Sequence, residues 1–205
     1  MVSIKEKVQG ELIVKNSKFL GFLIPIQSEA EASVILSSLK STYPNASHYC
    51  YAYVLGDSGV SQKANDDGEP QKTAGIPILE VLKKNDLTNI LAVSIRYFGG
   101  ILLGASGLIR AYSKSISSLL ESVKYTSKKD YYRYALSVDY ATHNHLENFL
   151  RSNVTVEETV FLEKVSIVFS VIKQRHTSIM NNLHEILLGK NGTQFLEEYS
   201  VYSED

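Results

Sequence analysis

Cysteine occurs once, at Cys50, tryptophan not at all, and proline only four times in 205 residues. One thiol excludes an internal disulfide and fits a reducing compartment, so a cytoplasmic location is expected. No apolar run approaches the ~20 residues that cross a bilayer as a helix, and no membrane partner is expected. The opening MVSIKEKVQGELIV has no apolar core of the kind a secretory signal carries, so none is expected. Nor does one charge prevail. Lys and Arg number 21 against 22 Asp and Glu, net −1, so the molecule is not a polycation. What is present is 44% apolar residues, enough for packed cores in one large or two small domains and too many for a disordered chain. The charge is uneven: residues 1–128 hold 14 basic and 11 acidic residues (+3), residues 129–205 hold 7 and 11 (−4). A mildly basic front half suits an anionic partner.

Residues 11–26 read as two short strands around an Asn16-Ser17 turn. Ser28 and Glu31 form a capping box, and Ala32, Ile35, Leu36, Leu39 and Tyr43 fall on one helical face that Pro44 ends. HYCYAYVLG, 48–56, alternates as a strand. A polar loop spans 61–75. A short helix follows over 76–82, with Pro77 near its first turn and Thr73 and Gly75 as candidate caps. Residues 88–95 read as a buried strand. Leu108, Ile109, Tyr112, Ile116, Leu119, Leu120 and Val123 mark one long helix. KYTSKKD, 124–130, is polar and reads as a break, which places domains at 1–128 and 129–205. Beyond it lie a strand, a helix capped by Thr142, a hairpin around Glu163-Lys164, a helix ended by Gly189, and a last strand over 193–201. The order βαββαβ is that of a ferredoxin-like α+β sandwich.

RYFGGILLGASGLIRAY, from Arg96 to Tyr112, follows a strand and opens a helix. There the unpaired N–H groups and the helix dipole meet an anion, and Gly99, Gly100, Gly104 and Gly107 let a ligand approach. Gly-Lys-Ser/Thr and GxGxxG are both absent, so this is neither a P-loop nor a dinucleotide fingerprint. Physics alone favours dense helix–sheet packing over a ligand site. Arg96 precedes the turn, and Arg110 and Lys114 stand an i,i+4 step apart on the helix. They either extend an anion site or form a solvated face.

In NDDGEPQKTAGIP, 65–77, Asp66, Asp67 and Glu69 offer the oxygens that Mg²⁺ binds. Asp-Gly and Glu-Pro are equally turn-formers. In ASHYCYAYV, Tyr49, Tyr51 and Tyr53 share one strand face and His48, Cys50 and Ala52 the other. Tyrosines so placed stack on bases or, more commonly, pack under a helix. Two positions along a strand, ~6.6 Å at Cα, are too far apart for a Cys-His dyad. The remaining histidines show no zinc pattern.

Taken in order, SKFLGF, ASHYCYAY, NDDGEPQKTAGIPIL and RYFGGILLGASGLIRAY make the chain resemble the YigZ/IMPACT family in its bacterial two-domain form, over essentially its whole length. The resemblance implies an N-terminal domain with the fold of the second domain of a small-subunit ribosomal protein, a βαβ-rich two-layer unit. It also implies a C-terminal ferredoxin-like domain similar to the last domain of elongation factor G. Eukaryotic relatives regulate translation with a different accessory domain, and bacterial members are thought to bind nucleic acid or the ribosome. The family carries no established catalytic residues. Its motif positions fall on Asp66, Asp67, Gly68, Glu69, Pro70, Thr73, Ala74, Gly75, Pro77, Arg96 and the four glycines. Gln71, Lys72, Ile76, Leu102 and Ser106 depart from it. Basic residues common at positions 76 and 102 are absent, which weakens phosphate binding, and Lys72 restores one charge.

Two readings of function follow. One is a non-enzymatic RNA- or ribosome-associated protein of translation regulation, its anion site built from Lys72, Thr73, Arg96, Gly99, Gly100, Gly104, Gly107, Arg110 and Lys114. The other is a metal-assisted phosphate or nucleotide hydrolase, with Mg²⁺ on Asp66, Asp67 and Glu69. A protein-binding module is a third. No resident cofactor is expected on the first reading, and the oligomeric state is open.

Overall fold

The computed structural model describes residues 1–189 and 192–204. The chain divides into two compact units, Met1–Ser127 and Lys128–Ser203.

The first unit contains β1 (Ser3–Ile4), β2 (Val8–Val14), β3 (Ser17–Pro25), α1 (Glu29–Thr42), β4 (His48–Leu55), β5 (Ser61–Asn65), α2 (Gly75–Lys84), β6 (Ile90–Tyr97) and α3 (Ala105–Ser117). Its sheet runs β2-β3-β6-β4-β5. Every pairing is antiparallel. The β3-α1-β4 connection is therefore a split βαβ, with β6 filling the gap. The turn before β3 is Lys15-Asn16, one residue earlier than expected. Both residues have positive φ, 45° and 63°, as a two-residue hairpin requires, while Ser17 already pairs with Val14. This shift leaves Lys15 at the hairpin tip.

The sheet buries both faces. On one, Phe22, Tyr53, Leu91, Val93 and Ile95 pack with Ala32 and Leu39 of α1. The capping box forms as expected: Ser28 Oγ accepts from Glu31 N at 3.1 Å, and Glu31 Oε2 accepts from Gln27 N at 2.8 Å. On the other face, Phe19, Leu23, Cys50, Ala52 and Ile90 pack with Ile78 and Leu82 of α2 and with Leu108, Tyr112 and Ile116 of α3. The two-layer expectation describes the sheet with α2 and α3, and α1 adds a third layer. Residues 61–65, expected as loop, form β5, an edge strand. None of its residues is buried, so it needs no apolar alternation, and polar side chains such as Lys63 guard the open edge.

β7 (Tyr125–Val138) begins in the first unit and carries the chain into the second, which adds α4 (Tyr140–Asn153), β8 (Thr155–Phe161), β9 (Val165–Ile172), α5 (His176–Ile186) and β10 (Thr193–Glu204). The strand order β10-β7-β9-β8 is that of the ferredoxin-like sandwich. Leu136, Val138, Val165, Ile167, Phe169 and Val171 pack with Leu146 and Leu150 of α4 and with Ile179 and Leu183 of α5. The mixed α+β class is thus present in both units. Residues 125–130, expected as part of a polar break, lie within β7, where Tyr125 and Thr126 pair with β1. Asp139, not Thr142, caps α4, accepting from Thr142 N at 2.7 Å. α3 stops at Ser117, short of the expected Val123, and a 3₁₀ turn over Leu120–Ser122 carries the chain on.

Candidate nucleic-acid interface

The stretch 65–77 folds back on itself through its own acids. Asp66 Oδ1 accepts from Ala74 N at 3.0 Å and Gly75 N at 2.8 Å, and Oδ2 accepts from Lys72 N at 2.8 Å. It serves the amides at the start of α2, where a carboxylate also meets the positive end of the dipole. Thr73 does not cap the helix. Its Oγ1 donates to Pro70 O at 2.6 Å and the residue is buried. Gly75 is required by packing, because a Cβ there would lie 2.5 Å from Asn65 N. Asp67, at φ 42°, accepts from Tyr49 N at 2.7 Å and faces Lys40 at 3.6 Å.

Glu69 points the other way, into the fold. It is 8% exposed, and its Oε1 accepts from Arg96 Nη1 at 2.6 Å and Tyr112 Oη at 2.7 Å. The three carboxylates expected to share Mg²⁺ therefore diverge, each with donors of its own. Among the described residues no group of three His, Cys, Asp or Glu side chains is placed to hold a metal ion.

Arg96 is 5% exposed, with its guanidinium between the rings of Phe19 and Phe98 at 5.5 and 5.4 Å. Its Nη2 donates to Ser17 Oγ at 3.4 Å, and its Nε is buried without a hydrogen-bond partner. His48 stands 3.8 Å from Glu69 through Nε2, and its Nδ1 lies 2.8 Å from Asp67 O. Cys50 does not meet His48. Its Sγ donates to Asp66 O at 3.0 Å, and burial pushes the thiol up to about 12. Burial first, then the neighbouring Cys50 and Glu69, also push the Tyr112 hydroxyl up. The tyrosine stripe packs beneath α1, with Tyr49 Oη donating to Tyr43 O at 2.5 Å.

The glycine stretch does two jobs. Gly99 is a packing glycine: a Cβ there would lie 2.1 Å from Asn16 C. Gly100 and Gly104 have φ of 82° and 70° and nothing near the missing Cβ, so conformation alone demands glycine there. Gly104 is the N-cap of α3, and no side chain caps that helix. Gly104, Ala105 and Ser106 are exposed, and the first amides of α3 have no side-chain cap.

Two cavities flank this helix start and share Leu103. One, about 440 Å³, is lined by His48, Gly68, Glu69, Pro70, Arg96, Phe98, Leu102, Leu103, Gly104, Ala105 and Leu108. The other, about 270 Å³, is lined by Leu12, Val14, Lys15, Leu103, Gly107, Arg110, Ala111 and Lys114. The residues expected to form one anion site are thus divided. Arg96 and Gly104 serve the first cavity; Gly107, Arg110 and Lys114 serve the second. Lys72, Thr73, Gly99 and Gly100 line neither.

The electrostatics of the two differ. In the first, Arg96 and Glu69 form a buried pair whose charges cancel. At an effective dielectric of about 20, unit charges ~4 Å apart interact by roughly 4 kcal/mol, so a phosphate over this pair gains from Arg96 about what it loses to Glu69. In the second, Lys15, Arg110 and Lys114 are exposed cations with no acidic partner among the described residues. Lys15 was not legible as a site residue, since it joins the groove only through the hairpin turn. His48 and Phe98 also lay outside the expected set.

Comparison with known proteins gives the relationship. Residues 15–120 match the Impact N-terminal domain, and residues 136–190 match a domain of unknown function, DUF1949. The chain belongs to the IMPACT family. The IMPACT family member YvyE of Bacillus subtilis is 40% identical over 190 residues, which cover 92% of this chain and 88% of the relative. An IMPACT family member of Haemophilus influenzae is 30% identical, covering 94% and 95%. A crystal structure of a hypothetical protein, 27% identical and covering 95% of each chain, superposes with a TM-score of 0.61. The IMPACT match thus takes in both cavities, whose lining residues other than Leu12 and Val14 lie within residues 15–120.

Proposed function

We propose that this protein binds RNA through its first unit, without catalysing a reaction of its own, and acts in the regulation of translation, on RNA or the ribosome. The observation that carries the reading is the groove where Lys15, Arg110 and Lys114 converge without an acidic partner beside the uncapped start of α3. Unpaired cations beside oriented backbone amides suit a run of phosphates. The front half's net charge of +3 favours the same partner. The translational link rests on the family resemblance in the motifs quoted above. A metal-assisted hydrolase has no shared ligand set to work with, because Asp66, Asp67 and Glu69 serve separate donors.

Filter binding of structured RNA to the full chain at two salt concentrations tests the reading. Phosphate contacts release counterions, so affinity is expected to fall steeply as salt rises. No detectable binding at low salt removes it.

A further inference from the structure

On the reading that RNA binds the first unit, the cavity of about 440 Å³ still needs an occupant. Its floor is the neutral Arg96–Glu69 pair, which gives a phosphate no net attraction. Its walls are mostly apolar, Pro70, Phe98, Leu102, Leu103 and Leu108, with the His48 ring beside Glu69. Phe98 is 49% and Leu102 is 81% exposed, so aromatic and aliphatic surface stands open at the mouth. The Arg96 guanidinium lies 5.4 Å from the Phe98 ring centre, a cation–π contact that steadies the ring. Polar edges are also present. Arg96 Nε is buried, unpartnered, and belongs to a side chain that lines the cavity, while Gly104 and Ala105 bring the uncapped helix start to its rim. A slot with an aromatic ring, an ion pair that cancels itself and a few hydrogen-bonding groups, His48 among them, suits a flat, neutral, heteroatom-edged ligand.

We propose that this cavity takes one unstacked base of an RNA strand, whose phosphates cross the Gly104–Gly107 turn into the Lys15–Arg110–Lys114 groove. The two sites are continuous through Leu103, which lines both. The base stacks on Phe98 and the neighbouring phosphates meet the cations, so stacking and charge act at separate residues.

The test uses the full chain and two labelled decamers of equal charge, one of adenosine ribonucleotides and one of abasic sugar-phosphate units. The adenosine decamer is expected to bind more tightly than the abasic one. Phe98→Ala is expected to weaken the adenosine decamer roughly 5- to 150-fold, leave the abasic decamer unchanged and leave the salt dependence unchanged. Lys15→Ala with Arg110→Ala is expected to weaken both decamers and flatten the salt dependence. Leu102→Ala, at a more exposed wall position, reports on the same slot should Phe98→Ala fail to fold. Equal binding of both decamers, or an unchanged adenosine affinity in both wall variants, overturns the base slot and leaves the RNA reading standing. Competition by 5′-AMP as effective as by the decamer overturns the strand and assigns a lone nucleotide. Binding of neither decamer at low salt overturns the RNA reading itself.

Discussion

Glu69 is a buried carboxylate that takes hydrogen bonds from Arg96 and Tyr112, and its charge is tolerable only beside Arg96. Removing one partner of such a pair leaves an uncompensated charge, a loss of about 3–5 kcal/mol. Arg96→Met is therefore expected to lower stability by that order in urea unfolding, with Arg96→Met/Glu69→Gln recovering part of it. If the double variant is no more stable than Arg96→Met alone, the pair is not the cause. Asp66, which accepts three backbone N–H bonds, behaves as a helix cap. Asp66→Ala is expected to cost about 1–2 kcal/mol, and Mg²⁺ is expected to leave the melting temperature of the parent unchanged. A Mg²⁺-dependent rise that Asp66→Ala abolishes would restore the metal reading. Cys50 adds a pH dependence. Its thiol is pushed up from 9.0 to about 12 in the fold. Below pH 9 both folded and unfolded states hold the proton. Between about 9 and 12 only the unfolded state loses it, so stability falls as pH rises through that window. The slope of stability against pH over this range is expected to be shallower in Cys50→Ala, and an identical slope contradicts the assignment.

Among the elements, the motif from Arg96 to Tyr112 shows what a sequence can and cannot tell. Its four glycines announced a strand–turn–helix junction, and the structure contains one. They did not announce which were needed for space and which for dihedral angle, because that depends on Asn16, some eighty residues away in sequence. The difference is measurable. Gly100→Ala meets only the cost of a left-handed alanine, about 1–2 kcal/mol, whereas Gly99→Ala drives a methyl group into the Asn16 backbone. Thermal melts are expected to rank Gly99→Ala well below Gly100→Ala, and the reverse order contradicts the packing. The amphipathic pattern of α1 and its capping box were legible because they are local. β5 and the first residues of β7 were not, because polar segments become strands only when an existing edge offers them a ladder. Lys15 was not legible for a related reason. A one-residue shift in the turn decides whether it lies in a strand or at the tip.

Over the whole molecule, charge is segregated along the chain: residues 1–128 carry net +3 and residues 129–205 net −4. The ion pairs of the second unit follow that sign. Arg133 there is matched by Glu157 at 2.8 Å and Glu197 at 2.9 Å, and Lys173 by Glu198 at 2.5 Å. Arg133 and Lys173 are thus paired, while among the described residues Lys15, Arg110 and Lys114 are not, so on the proposed reading a polyanion meets the first unit. The mixed α+β class was legible from periodicity and motifs; the division of the expected anion site into a cationic groove and a second cavity over the Arg96–Glu69 pair was not, since it depends on which way Glu69 turns.

The most direct measurement is the salt dependence of single-stranded RNA binding to the parent chain and to Lys15→Ala/Arg110→Ala/Lys114→Ala. Each phosphate contact contributes a slope of about −0.7 in log affinity against log salt, so three lost contacts are expected to flatten it by about 2. A triple variant with unaltered affinity and slope, or a parent that binds no RNA at low salt, contradicts the account.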